Sequence, residues 1–376
     1  MMTLACLACW GSALLLVHVF VGYPLCMWLL ARCCPRPIAR QAVTPTVTVI
    51  LAVHDGAKYL PAKLKNLQAL DYPPGQLEIV IACDGCRDAT AALAREANDP
   101  RVRVLEFTER RGKAACLNDA VAMARGDVLL MTDVRQKLSP MALRELVANL
   151  ADTHVGAVSG ELQMENVQTG FAQGVDAYWR YEKLIRHAES RSGSTIGVSG
   201  ALYAMRRALF KPLPSGTVLD DVLIPMRVAA AGCRVVFEPH ALAWDQPSQQ
   251  PAEERRRKIR TLAGNYQLIQ LAPWLLLPWS NPLWFRFVSH KLLRLLAPWL
   301  ILLLGLSTAV LATRHVAYAL LLLVLLVGAA LVMLGRWMPA AGRWLPIRLA
   351  VAFYYLNLFA AQALIAFTRN RGLHLW

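Results

Sequence analysis

Long apolar stretches bracket a polar middle. Leu4 to Leu30, and then roughly Leu295–Ala312, Val316–Gly335 and Leu349–Phe367, each hold enough consecutive apolar residues to match a bilayer core, and predict four membrane-crossing helices. Between them the pattern shortens. Val47–Val53, Leu77–Ala82, Val102–Leu105 and Val128–Thr132 are short runs rich in β-branched residues, separated by the helical patterns Tyr59–Leu70, Ala89–Ala97 and Lys113–Ala124. Such alternation predicts an α/β unit with a parallel sheet and crossover helices. From Leu262 to Val288, Trp274, Trp279 and Trp284 alternate with Pro273, Pro278 and Pro282, a pattern too broken for a spanning helix and suited to the membrane interface. The expected organisation is a crossing over residues 1–31, the α/β domain over 44–250, an interfacial segment over 251–290, three crossings over 291–368 and a tail over 369–376.

Charge sharpens this picture. The formal net charge of +15 invites a nucleic-acid reading, but residues 55–254 carry all 25 acids and 23 of the 40 bases. The excess of bases therefore borders the apolar stretches, where anionic headgroups lie, and nucleic acid is excluded as a partner. Arg32, Arg36 and Arg40 follow the first stretch, and no basic residues precede it, so a retained anchor with its N-terminus outside fits better than a cleaved signal. That orientation makes the chain a multi-pass protein of the inner or plasma membrane with the polar domain in the cytoplasm. It also puts Arg286, Lys291, Arg294, Arg336, Arg343 and Arg348 inside; Arg369 and Arg371 fall on the opposite side, against the trend. Nine cysteines show no disulfide pattern, and Cys83-Asp84-Gly85-Cys86 lacks the second ligand pair that zinc needs.

The chemistry collects at predicted strand ends, where parallel sheets bind ligands. Asp55 and Asp84 follow the first two runs, and Asp133 follows the fourth. Asp84-Gly85 starts an acidic turn in which Asp88 suits a helix cap. Gly112-Lys113 opens a helical pattern, which a solvated helix start explains as well as a ligand-reaching lysine does. Asp220-Asp221 begins another helical pattern, consistent with a double cap or with a base and its neighbour. Glu182 and Glu189 read as solvated or ion-paired. The basic run Arg256–Arg260 suits lipid contact or an anionic leaving group.

Taken in order, these motifs resemble those of the inverting, membrane-bound family 2 glycosyltransferases, a group that includes polysaccharide synthases and ceramide-glucosyltransferase-like enzymes. The resemblance covers essentially the whole chain, and it rests on the ordered series, since each motif alone is weak. It implies a GT-A fold: an α/β domain with a mixed, mainly parallel sheet, flanked by N- and C-terminal transmembrane helices. It further implies a UDP-sugar donor held by Asp55, Asp84, Lys113, Asp133 and Arg135. Asp221 would be the catalytic base beside Asp220, and Ser199, Gly200, Arg257 and Arg260 would line the acceptor and diphosphate side. The family carries a second acid where this chain has Arg135. Either Asp133 alone holds a Mg²⁺ or Mn²⁺ ion, or the guanidinium takes over part of the ion's charge. Thr261 stands where the polysaccharide synthases have a tryptophan, which favours single additions over processive extension.

The implied reaction is transfer of a sugar to a lipid-linked or growing glycan acceptor at the membrane, in polysaccharide or glycolipid biosynthesis, with export-pathway proteins as further partners. From another class, an inert membrane scaffold or sugar-binding partner would keep the fold and tolerate Arg135 and Thr261. An ion-coupled transporter is disfavoured, because the C-terminal stretches hold no acid.

Overall fold

The computed structural model describes residues 2–165, 170–246, 251–338, 340–341 and 344–369. Among the described residues, eight strands form one mixed sheet: β1 (Val47–Val53), β2 (Leu77–Asp84), β3 (Val102–Phe107), β4 (Val128–Thr132), β5 (Lys137–Leu138), β6 (Val155–Met164), β7 (Leu202–Arg206) and β8 (Arg234–Asp245). Their order is β3-β2-β1-β4-β7-β6-β8-β5. The first four run parallel, as the alternation predicted, in registers such as Val47 beside Leu77 and Val47 beside Val128. Strand β7 runs antiparallel to both of its neighbours, β4 and β6, while β6 and β8 are parallel.

Both faces of this sheet are covered, which is why β1 is buried at every position. Val49 and Leu51 point into a layer with Leu60, Leu64, Leu143 and Leu146, while Ile50 and Ala52 meet Leu117, Val121, Val222 and Leu223 on the other face. The second layer also takes in Leu268, Leu275 and Phe287, so the segment leading into the second long apolar helix packs directly onto the α/β domain.

Among the described residues, four helices are long and apolar enough to cross a membrane: Met2–Cys33, Trp284–Ala312, Val316–Trp337 and Leu345–Arg369. The region expected to be interfacial divides differently from its sequence pattern. Residues 262–271 complete one amphipathic helix, Pro251–Leu271, while Trp284–Phe287 are the first turn of the second long apolar helix. Between them the prolines do break the chain, leaving a short 3-10 turn at Pro273–Leu276. Tyr23, Met27 and Ala31 of the first apolar helix pack on Ile185 and Ala188 of the helix Gly170–Arg191.

Candidate active site

The chain leaves β1 to build β2 and β3 on one side and returns as β4 on the other, so a crevice opens between the ends of β1 and β4. Asp133 leaves the end of β4 into this crevice, and Lys113 enters it from the first turn of the helix Lys113–Met123. The Lys113 ammonium donates to Asp133 at 3.0 Å and stands 3.4 Å from Asp220, bridging two motifs 87 residues apart in sequence. Burial opposes charge on Lys113, yet Asp133 and Asp220 outweigh it and hold its pKa above the ordinary lysine value.

Asp220 and Asp221 occupy the first turn of the helix Asp220–Ala230, and neither side chain caps it; the cap position is Leu219. The capping reading of Asp220 is therefore not what the structure shows. Asp221 is pushed up to about 6, first by burial and then by the charge of Asp220. A side-chain carbon added at Gly200 would lie 3.7 Å from the Asp221 Cβ and 3.9 Å from the Lys113 ammonium, so Gly200 leaves the space over this group open. Ser199 anchors the same segment, its amide donating to Ser159 Oγ at 2.9 Å. Arg260 faces Asp220, Asp133 and Asp221 from the helix Pro251–Leu271, with its Nε buried and unpartnered.

The remaining expected residues surround this centre at different distances. Asp84 is fully buried, and its two oxygens accept the amides of Arg111 and Gly112 at 2.7 and 2.8 Å. It thereby fixes the start of the helix that carries Lys113. Gly85 makes this possible: its φ is +55°, and an added Cβ would fall 2.5 Å from the Arg110 nitrogen. Asp55 sits at the end of β1 and accepts the Arg87 amide at 2.7 Å, tying the first two strand ends together. Asp88 accepts the amides of Thr90 and Ala57 at 3.0 Å from just before the helix Thr90–Arg95, whose cap position is Ala89 rather than Asp88. Cys83 points into the core while Cys86 turns toward Val53, so the pair forms no metal knuckle, and all nine cysteines are free.

Arg135 is engaged elsewhere. Its guanidinium pairs with Asp245 at the end of β8, 2.6 Å away, and Gln136 donates to the same oxygen at 2.9 Å. Arg257 pairs with Glu254 one turn earlier at 2.8 Å, leaving Arg260 as the arginine of that run that faces the acids. Glu182 and Glu189 are buried and ion-paired rather than solvated: His290 bridges them at 3.0 and 2.8 Å, and Arg294 also pairs with Glu182.

Two residues near the centre escaped the sequence reading. Lys63 is buried and donates to Thr132 Oγ1 and to the Gln136 carbonyl, both at 2.8 Å, directly behind Asp133; burial lowers it to about 7. Its signal was positional, since Leu60, Lys63, Leu64 and Leu67 share the spacing of one buried helix face. The Tyr203 hydroxyl is buried without a partner among the described residues, and burial together with Asp220, Asp221 and Asp133 keeps it protonated. Nothing in its sequence neighbourhood distinguishes it from a core tyrosine.

The stretch of chain that carries these carboxylates matches a known family. Residues 45–264 fit the family model described as glycosyltransferase-like family 2. This chain belongs to that family. It is 24% identical over 249 residues to the probable glycosyltransferase YdaM of Bacillus subtilis, covering 60% of this chain and 56% of that protein. It is 23% identical over 232 residues to the poly-beta-1,6-N-acetyl-D-glucosamine synthase of Staphylococcus aureus, covering 59% and 55%. The chain thus spans just over half the length of these curated relatives. Among solved structures, the mannosyltransferase PcManGT from Pyrobaculum calidifontis, in complex with GDP-Man and Mn²⁺, aligns over 96% of this chain and 98% of its own, at 25% identity and a TM-score of 0.72. It carries a GT-A-like mixed sheet with apolar helices at both termini.

Proposed function

We propose that this glycosyltransferase moves a sugar, with inversion, from a UDP-sugar to a lipid-linked or growing glycan acceptor at the cytoplasmic face of the membrane. The observation that carries the reading is the Lys113 bridge from Asp133 to Asp220, with Asp221 beside it and Arg260 facing all three acids. Asp221 takes the proton of the acceptor hydroxyl as its oxygen attacks the anomeric carbon. A carboxyl near 6 is ionised at neutral pH and still basic enough for this transfer. Arg260 and Lys113 face the position where negative charge grows on the departing diphosphate.

A divalent cation suits these residues. Asp133 and Asp220 offer hard carboxylate oxygens on two sides of Lys113, and Mg²⁺ or Mn²⁺ takes its other ligands from phosphate and water. Asp133 would hold it, and the ion would neutralise the diphosphate. Arg135, paired with Asp245, is better placed to brace the end of β4 than to replace the ion. Asp55 and Asp84 shape the loops on the nucleotide side.

A GDP-sugar is the second reading for the donor, favoured by the GDP-Man bound to PcManGT. Incubating the purified full chain with UDP- and GDP-sugars in the presence of Mn²⁺ and membrane lipid, and measuring nucleoside diphosphate release, separates the two. Release from UDP-sugars alone is the expected result. Release from GDP-sugars alone would replace the uridine reading, and release from neither would defeat the proposed reaction.

A further inference from the structure

Lys63 has no chemical step in the proposed transfer, yet it holds the loop that presents Asp133 from both sides. Its ammonium donates to Thr132 Oγ1 and to the Gln136 carbonyl, both at 2.8 Å, and these residues bracket Asp133-Val134-Arg135. The same helix grips the chain again one turn later. The Asn66 side-chain amide donates to the Leu138 carbonyl while its oxygen accepts the Leu138 amide, both at 2.8 Å. Lys63 and Thr132 are both buried, and Leu60, Leu64 and Leu67 of that helix lie in the core.

The bond to Thr132 has a direction that carries it further. A charged lysine only donates, so the Thr132 oxygen accepts from it and has its single proton left for another acceptor. That acceptor is the Ala201 carbonyl at 2.8 Å; the other oxygen in reach, the Asp133 carbonyl, is 3.4 Å away. Ala201 belongs to the segment that lies against Asp221. The Val198 amide donates to the Asp221 carbonyl at 2.9 Å, the Leu202 amide closes a turn on the Ser199 carbonyl at 3.0 Å, and a side-chain carbon added at Gly200 would stand 3.7 Å from the Asp221 Cβ. The pairing of β4 with β7 ends at Thr132 beside Leu202. Asp133 and Ala201 come directly after that last pair, and the hydrogen bonds from Lys63 through Thr132 to Ala201 join the two sides where the sheet stops. Buried hydrogen bonds in series polarise one another, so each link strengthens the next.

We infer that Lys63 is a positioning residue for the transfer: through Thr132 and Ala201 it sets the spacing between Asp133 on the donor side and Asp221 on the acceptor side. This rests on the roles proposed above for those two acids. The acceptor oxygen, deprotonated by Asp221, has to meet an anomeric carbon whose diphosphate is held from the side of Asp133, and a misplacement of about 1 Å costs on the order of 10²-fold in rate.

The test combines turnover with a readout that needs no turnover. The purified full chain in detergent is assayed for nucleoside diphosphate release from UDP- and GDP-sugars with Mn²⁺ and membrane lipid, and backbone hydrogen exchange is followed by mass spectrometry over residues 198–202. Lys63→Met keeps the side chain's bulk and removes both donations; Thr132→Val removes the hydroxyl at constant shape, and carries the test if Lys63→Met fails to fold. Each should lower kcat by about 10–100-fold, change donor KM by less than about threefold, and speed exchange over residues 198–202 by about tenfold. The double variant should be no slower than the worse single one, because both break one chain of bonds. Leu67→Ala, which opens a cavity under the same helix, should lower the thermal midpoint while kcat and exchange at residues 198–202 stay as they are. Unchanged exchange over residues 198–202 in Lys63→Met, additive losses in the double variant, or an equal loss of kcat in Leu67→Ala would each overturn the inference. Absence of turnover in the unmodified chain would instead defeat the proposed reaction, and the exchange measurement would still decide whether Lys63 holds the segment against Asp221.

Discussion

At the scale of single residues, the site is a balance of buried charge, and Asp221 bears its cost. Burial and then Asp220 push its carboxyl from 3.8 to about 6, so if Asp221 is the base, as proposed, it is lost to protonation as pH falls through 6, and kcat/KM should drop about tenfold per unit below that point. Asp221→Asn should lower turnover by about 10²–10⁴-fold and leave nucleotide affinity in place. The linkage has a definite sign. A carboxyl that holds its proton more tightly when folded loses stability as pH rises from 3.8 toward 6, and the loss persists above that range. The asparagine variant carries no such penalty, so its thermal midpoint at pH 8 should equal or exceed that of the unmodified chain; a clear decrease would show that Asp221 is a structural group. Metal dependence belongs to this scale too. Chelator should abolish turnover and Mn²⁺ restore it, whereas Asp133→Ala should stay inactive in Mn²⁺; full activity in chelator would leave Lys113 and Arg260 as the diphosphate's counter-charges. The positions of Asp84 and Asp133 at strand ends and of Asp221 at a helix start were legible because an acid after an apolar run is conspicuous. Lys63 and Tyr203 were not, because a polar group buried by tertiary packing looks in sequence like a surface lysine or a core aromatic.

At the scale of elements, close helix packing sets the reach of Arg260. Gly264 lies one turn after it, and an added Cβ there would fall 2.8 Å from Leu219 Cγ and 2.9 Å from Val218 Cγ1, immediately before the Asp220-Asp221 pair. Helix Pro251–Leu271 is therefore seated against the segment that leads into Asp220 and Asp221. Gly264→Val forces these apart and should lower kcat more than it raises donor KM, while the apolar helices keep the chain folded in detergent; unchanged kcat would show that Arg260 reaches the site independently of this packing. On the nucleotide side, Gly85→Ala meets both the +55° φ and the Arg110 backbone, and should raise donor KM at a stability cost of about 1–3 kcal/mol, read from the donor titration and the thermal midpoint. The parallel half of the sheet was legible, with Val47–Val53 and Val128–Thr132 matching their sequence runs, because β1 to β4 are continuous apolar strands divided by helical patterns. The other half was not. Strand β7 sits between β4 and β6, and β5 is a two-residue strand pairing with β8 over a hundred positions away, pairings that depend on distant segments rather than local pattern.

At the scale of the whole molecule, the candidate site is joined to the apolar helices by shared packing rather than by a tether. Phe287, at the start of an apolar helix, belongs to the same core cluster as Leu223 and Met131 beneath the site, and His290 ties that helix to Glu182 and Glu189. The orientation of the four apolar helices therefore decides which compartment supplies the donor. The basic residues beside the apolar segments favour a cytoplasmic site, with Arg314 and Arg369 against the trend. In that orientation the turn after Ala312 faces outward and the connection after Trp337 faces the cytoplasm. A cysteine at Thr313, in a chain whose nine native cysteines are replaced, should react in intact cells with a membrane-impermeant thiol reagent, and one at Ala340 should react only after permeabilisation. Reversed labelling would place the crevice outside. A nucleotide sugar made in the cytoplasm would then never meet Lys113 and Asp133, so the same experiment bears on the donor as directly as on the topology.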